Sequence, residues 1–228
     1  MSKKKSKKKD IERRIEEAGI IPVIRAESAD AAIAAAKAVC DGGIPIVEIT
    51  MTVPDATQII AELTLELSRG ILIGAGTVMD PETAKACANA GAQFIVSPSF
   101  DPATVKAAIE EGVVMMAGAL TPTEVVTAWR AGSDFVKIFP CGSVGGPSYI
   151  RALKAVFPKI PMIPTGGVNL ANAAEFLRAG ASAVGAGSEL ILADALAAGD
   201  FEAIRSSAQR FATVVREEQL RSRPPRVA

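Results

Sequence analysis

The chain has 228 residues, with 25 basic and 25 acidic side chains and a hydrophobic fraction of 49%. Zero net charge gives no global pull toward nucleic acid or anionic membrane, and no run is long and apolar enough to span a bilayer. Histidine is absent, which excludes every mechanism or metal site that needs imidazole, and three scattered cysteines (Cys40, Cys87 and Cys141) point to a reducing, cytoplasmic setting.

Residues 1–9 form the one strongly biased segment, with Lys3-Lys4-Lys5 and Lys7-Lys8-Lys9. It lacks the apolar centre of a signal peptide and is expected to be a disordered, solvated tail, the competing reading being a tether to nucleic acid or to an acidic partner. Asp10 to Ala18 reads as a short helix, since Asp10 can cap it, Ile11 and Ile15 recur at i, i+4, and Gly19 stops it. Apolar strands and amphipathic helices then alternate. The strands are Ile21–Ala26, Ile46–Met51, Leu72–Val78, Phe94–Pro98, Val114–Ala119, Phe135–Pro140, Met162–Gly166 and Ala183–Ser188.

Helix signals fill the gaps between them. Ser28 or Asp30 caps an alanine-rich run to Cys40, and Pro54 opens a helix running to Arg69. Asp80-Pro81 and Asp101-Pro102 place a cap before proline at the first helical position, and Thr121-Pro-Thr-Glu124 adds a capping box. Asn169 or Leu170 starts a helix ending at Gly180, and Leu190–Leu196 and Phe201–Glu218 complete the set. Residues 219–228 are expected to be a second disordered tail. Eight near-continuously apolar strands, each followed by a helix, argue for a parallel sheet covered on both faces. Their number and the chain length favour one closed (β/α)₈ TIM barrel over residues 10–218, with a short N-terminal helix. An open doubly wound sheet fits less well, because no dinucleotide fingerprint follows the first strand.

In such barrels the chemistry gathers at the C-terminal ends of the strands. Lys137 lies in Phe135-Val-Lys-Ile-Phe139, sharing one face with two phenylalanines. Desolvation there lowers an amine's pKa, and a neutral lysine suits Schiff-base formation with a ketone; the alternative is a lysine whose head snorkels to water. Glu48, inside Ile-Val-Glu-Ile-Thr, is costly unless paired or protonated, and serves either as an acid/base partner of Lys137 or in a structural ion pair with Lys137 or Arg25. Gly166-Gly167 and Gly187-Ser188 close the last two strands, where glycine turns and helix N-termini present N–H groups to a phosphate, although tight βα turns also use glycine. Gly74-Ala-Gly-Thr77 leaves room inside the barrel and offers a hydroxyl, or else reflects close packing and a cap.

The motifs Val47-Glu-Ile-Thr50, Gly74-Ala-Gly-Thr-Val78, Ile95-Val-Ser-Pro98, Thr121-Pro-Thr-Glu124, Val136-Lys-Ile-Phe-Pro140 and Pro164-Thr-Gly-Gly-Val168 occur in that order. As a set they resemble the 2-keto-3-deoxy-6-phosphogluconate (KDPG) aldolases, grouped with the 4-hydroxy-2-oxoglutarate (KHG) aldolases. The resemblance implies a class I aldolase free of metal and cofactor, acting on a small 2-keto acid substrate as a homotrimer, and composition adds the expectation of a cytoplasmic protein with no nucleic-acid or membrane partner. It implies Lys137 as the Schiff-base lysine, Glu48 as the general acid/base, Thr77 and Pro98 as substrate contacts, and Gly166, Gly167 and Ser188 as the phosphate site, to which the glycine turn of the eighth strand adds Gly187. One position departs. Many members carry an arginine for the substrate carboxylate where this chain has Thr52, and Arg25 at the first strand's end is the expected substitute. Two other readings compete: a phosphate-binding barrel isomerase or synthase without a Schiff base, and a barrel serving as a self-assembling scaffold, motivated by the alanine-rich helix Ala29–Cys40.

Overall fold

The computed structural model describes residues 3–67 and 70–222. The expected alternation is present in the expected order. Helix α1 (Lys3–Ala18) leads into β1 (Ile20–Ile24), α2 (Ala29–Asp41), β2 (Ile46–Thr50), α3 (Ala56–Glu66) and β3 (Leu72–Gly76). Then come α4 (Pro81–Asn89), β4 (Phe94–Val96), α5 (Pro102–Glu111), β5 (Val114–Ala119), α6 (Pro122–Arg130) and β6 (Phe135–Ile138). The last third holds α7 (Pro147–Val156), β7 (Met162–Pro164), α8 (Ala173–Arg178), β8 (Val184–Ala186), α9 (Ala193–Ala198) and α10 (Phe201–Ser222).

All strand pairs are parallel, and the order β7-β6-β5-β4-β3-β2-β1-β8 follows the chain around a ring. A bridge between Thr165 and Gly185, and the Ser182 N–H donating to the Met162 carbonyl at 2.9 Å, join the two ends. The sheet is therefore a barrel and not an open doubly wound sheet. Every residue of every strand is buried, as a sheet covered by helices outside and side chains inside requires. Helix starts obey the capping logic of the sequence: Ser28, Asp80, Asp101 and Thr121 each accept a backbone N–H, and Thr121 with Glu124 forms the full capping box.

Several boundaries differ from the sequence reading, each for a physical reason. All strands except β5, which ends at Ala119 as expected, end one or two residues early at the mouth, where glycine turns and Pro98 break the ladder, so the candidate groups after β1, β3, β4, β7 and β8 stand on loops. The lysine run expected to be part of a tail is helical from Lys3. Lysine is a good helix former, and Lys8 pairs with Asp134 at 2.9 Å, just before β6. At the other end α10 continues to Ser222, past the expected boundary at Glu218. The rest of the expected tails, residues 1–2 and 223–228, lies outside the described residues, as does Arg69 at the expected end of α3.

Helix α1 lies across the N-terminal ends of the strands. It buries Ile11 and Ile15, and Arg14 donates to the Gly70 carbonyl at 2.7 Å. The alanine-rich α2 needs no second chain to hide its apolar face, since Ala32, Ala35, Ala36 and Val39 are fully buried within this one. Small side chains let α10 approach closely. At the end of α2, a side-chain carbon on Gly42 would lie 2.6 Å from both the Ala208 Cβ and the Arg205 carbonyl oxygen. The Arg205 contact is to backbone and cannot swing aside. Gly42→Ala is therefore expected to cost about 1–3 kcal/mol of stability, seen as a lower urea midpoint at unchanged m-value.

Candidate active site

Two buried charged side chains occupy the barrel interior. Glu48 on β2 and Lys137 on β6 are each 2% exposed. Backbone choices on neighbouring strands make room for them. A Cβ at Gly76 on β3 would lie 1.9 Å from Glu48 Oε1, so the carboxylate occupies the space a side chain would take there. Gly74 does the same for the Phe94 ring. On β5, Gly118 pairs with Lys137 and lets the loop after β4 fold inward, since a Cβ there would sit 2.3 Å from the Pro98 carbonyl. The Gly118 N–H donates to the Ser99 carbonyl of that loop at 3.2 Å. The sequence signalled the glycines of β3 but gave no sign that Gly118 would matter.

The electrostatics follow from burial. Desolvation pushes the Glu48 carboxyl above its ordinary 4.5, while the nearby Lys137 and Arg25 charges pull it partly back. Desolvation pushes the Lys137 ammonium below its ordinary 10.5, with Glu48 opposing and Arg25 reinforcing the shift. Both groups are therefore driven toward their neutral forms. Glu48 Oε1 has no hydrogen-bond partner, and Lys137 Nζ lies 5.2 Å from the centre of the Phe139 ring. An amine held this way has an accessible lone pair, and the carboxyl has an oxygen free to take or give a proton.

The remaining candidates ring the mouth. Thr77 follows β3 with φ +59°, left-handed backbone that a β-branched residue rarely adopts, so its hydroxyl is held at a strained position. Pro98 is half-buried after β4. Gly166 (φ +86°) and Gly167 (φ +79°) need the left-handed freedom of glycine, and with Gly187, Ser188, Phe139 and Arg25 they line one cavity of about 150 Å³. Arg25 is exposed just past β1, its Nη1 3.5 Å from where a Gly187 side chain would begin. It is the cation of this cavity and reaches both buried groups electrostatically.

Thr52 is exposed after β2, and its hydroxyl lies 2.7 Å from that of Thr50. Thr50 spends its one proton on the Ile24 carbonyl at 3.0 Å. Thr52 must then donate to Thr50, which leaves it only lone pairs to offer outward. A hydroxyl in that state does not replace a guanidinium on a carboxylate. The Ile24 carbonyl that ends this chain of hydrogen bonds immediately precedes Arg25, the residue expected to take that task. Among the described residues no three carboxylates and thiols converge as a metal site would need.

The chemistry open to this arrangement is that of a class I aldolase, in which a buried amine activates a ketone. Comparison with known proteins agrees. A family model for KDPG and KHG aldolases matches residues 11–207. The chain is 37% identical over 198 residues to a 2-dehydro-3-deoxy-6-phosphogalactonate aldolase of Escherichia coli, covering 86% of this chain and 93% of that one. It is 34% identical over 201 residues to a 2-dehydro-3-deoxy-phosphogluconate aldolase of Treponema pallidum, covering 88% and 95%. Among solved structures, a KDPG aldolase from Legionella pneumophila with pyruvate captured as a covalent carbinolamine superposes with a TM-score of 0.80 at 28% identity, covering 87% of this chain and 96% of that one. A cube-shaped protein cage designed by fusing symmetric oligomeric domains gives 0.81 at 35% identity, covering 89% and 74%. The chain belongs to the KDPG and KHG aldolase family.

The two buried groups should cost stability. Because the folded carboxyl titrates above 4.5, Glu48 contributes a stabilising proton at acid pH that is lost as pH rises through its raised pKa. The stability advantage of Glu48→Gln over the parent should therefore grow with pH across that window. The double variant Glu48→Gln/Lys137→Met should be about 1–4 kcal/mol more stable than the parent near neutrality, by denaturant titration, because it removes both desolvated groups at once.

Proposed function

We propose that this aldolase cleaves 2-keto-3-deoxy-6-phosphogluconate to pyruvate and glyceraldehyde 3-phosphate, and takes 4-hydroxy-2-oxoglutarate to pyruvate and glyoxylate. The observation that carries the reading is the buried, desolvated Lys137 amine within electrostatic reach of Glu48 and of Arg25, the latter lining the glycine-edged cavity together with Phe139. Neutral Lys137 attacks the C2 ketone of the substrate. Glu48 passes the protons as the carbinolamine loses water and becomes an iminium. Glu48 then takes the C4 hydroxyl proton, the C3–C4 bond breaks, and its electron pair moves into the iminium to give an enamine and a free aldehyde. Glu48 returns a proton to C3, and water releases pyruvate and restores the amine. Covalent catalysis of this kind divides one hard cleavage into easier steps.

The rim residues divide the substrate between them. Gly166, Gly167, Gly187 and Ser188 hold the phosphate, as the loops after the last two strands do in many barrels of this architecture. Thr77 and Pro98 contact the pyruvyl end, and Thr52, with its proton spent on Thr50, borders the pocket. Arg25 binds the carboxylate. The competing isomerase or synthase reading gives Lys137 no covalent role, whereas the driving of Lys137 toward a free amine is a property a Schiff-base nucleophile needs and a fixed cation does not. A homotrimer in the cytoplasm completes the proposal. The likeness to a cage built from symmetric oligomeric domains supports assembly, and no described helix is long and apolar enough to cross a membrane.

A lyase assay following pyruvate should show turnover of the phosphorylated gluconate substrate, with the galactonate epimer and 4-hydroxy-2-oxoglutarate compared in parallel. Lys137→Met should remove turnover of all three. Arg25→Met should raise KM for the keto acid about 10- to 100-fold, the worth of a lost charged hydrogen bond, and an unchanged KM would remove Arg25 from the site.

A further inference from the structure

Arg25, the residue proposed for the substrate carboxylate, stands where the sheet gives its backbone little support. The last registered pairs of β1 are Ile24 with Ile49 on the β2 side and Pro22 with Ala186 on the β8 side, so Arg25 opens the loop toward α2. Pro22 has no N–H with which to strengthen the β8 side. Arg25 also borders two cavities. One, of about 150 Å³, holds the glycine turns, and its neighbour of about 600 Å³ is lined by Ser28, Ile191 and Leu196 among others. A long, flexible side chain on a loosely held backbone can serve either, at the full rotamer cost of ordering it. The guanidinium nevertheless stands on the side of the smaller cavity, its Nη1 3.5 Å from where a Gly187 side chain would begin.

We infer that Thr50 is a positioning residue for Arg25, with Thr52 completing its hydrogen bonds; the inference rests on the reading of Arg25 as the carboxylate ligand. Thr50 is 0% exposed. Its hydroxyl donates to the Ile24 carbonyl at 3.0 Å and accepts from Thr52 at 2.7 Å, so its proton and a lone pair are both in use and no substrate atom reaches it. What it touches is the peptide unit that carries Arg25. The Ile24 carbonyl, the Arg25 N–H and the Arg25 Cα share one rigid plane, so holding the oxygen fixes the point from which the arginine side chain starts. The two hydroxyls polarise each other in series, which strengthens the bond to Ile24. Thr50 also lies two residues after Glu48, on the same face of β2. The carboxylate and the ketone of a 2-keto acid are adjacent carbons, so their protein partners must keep a fixed separation. With Thr50 as anchor, one rigid strand sets both: it carries the acid/base at Glu48 and holds the base of the arginine.

The test is a double-mutant cycle between Thr50 and Arg25, read as KM and kcat in the retro-aldol assay with the best of the three keto acids. Thr50→Val keeps the branched shape a strand favours and removes only the hydroxyl. It should raise KM about 3- to 10-fold, the worth of one hydrogen bond, with kcat held within about twofold. Thr50→Ser keeps the donor and should return KM to the parent's value even where the lost methyl lowers the denaturation midpoint, an effect a purely structural role would not separate. On an Arg25→Met background Thr50→Val should change KM by less than about twofold, because the residue it positions is gone. Full additivity of the two substitutions would overturn the inference, as would a serine variant that behaves like valine. So would a Thr50→Val KM equal to the parent's while Arg25→Met raises it. If Arg25→Met itself leaves KM unchanged, the carboxylate reading of Arg25 falls first and this inference with it.

Discussion

Placing a lysine and a glutamate inside an apolar barrel is the constraint on which the rest of this structure depends. Water would hold both as ions at neutral pH; the barrel withdraws that solvation and replaces it with little, since Glu48 Oε1 accepts no hydrogen bond and Lys137 faces a phenyl ring. A well-satisfied buried pair would be electrostatically quiet and chemically inert. Here the incomplete compensation leaves a nucleophilic amine and a proton-exchanging carboxyl close enough to sense each other's charge. The stability forgone at this point is recovered by the continuous core around it, in which every strand is fully buried.

Glycine placement carries out this arrangement. Gly76 leaves space for the Glu48 carboxylate, Gly118 lets the loop bearing Pro98 turn in beside Lys137, and Gly166 and Gly167 supply left-handed backbone at the anion cavity. Each side-chain function on one strand thus has a counterpart in a missing side chain on its neighbour. The rim adds a second division of labour. The hydroxyls of Thr52 and Thr50 form a relay ending on the Ile24 carbonyl, which pins the end of β1 immediately before Arg25. The residue at the usual arginine position and the residue proposed to replace it are therefore linked by two hydrogen bonds.

The architecture was legible because its signals are redundant. Near-continuous apolar runs, Asp-Pro and Thr-Pro helix starts and glycine stops all mark the same boundaries, and the eight-fold count closes the ring. Lys137 and Glu48 were legible for the opposite reason, as single charged residues in runs that should exclude them. Gly118 was not, because a glycine on an apolar strand reveals nothing of the loop that will cross it until β4 and β5 are placed side by side. The helicity of the lysine run was missed too. Composition reads such a block as solvated chain, while its attachment through Lys8 to Asp134 depends on a contact across 126 positions that no local pattern encodes. Nor could composition say what covers the alanine-rich α2, because its buried face meets α10, which the chain supplies only at its far end.

The most direct measurement of the central claim is covalent. Incubating the protein with pyruvate and borohydride should reduce the Schiff base to a stable secondary amine, and peptide mapping should place the added mass on Lys137. Mass on Lys154 or Lys159, or none anywhere while the enzyme still turns over its substrate, would contradict the account.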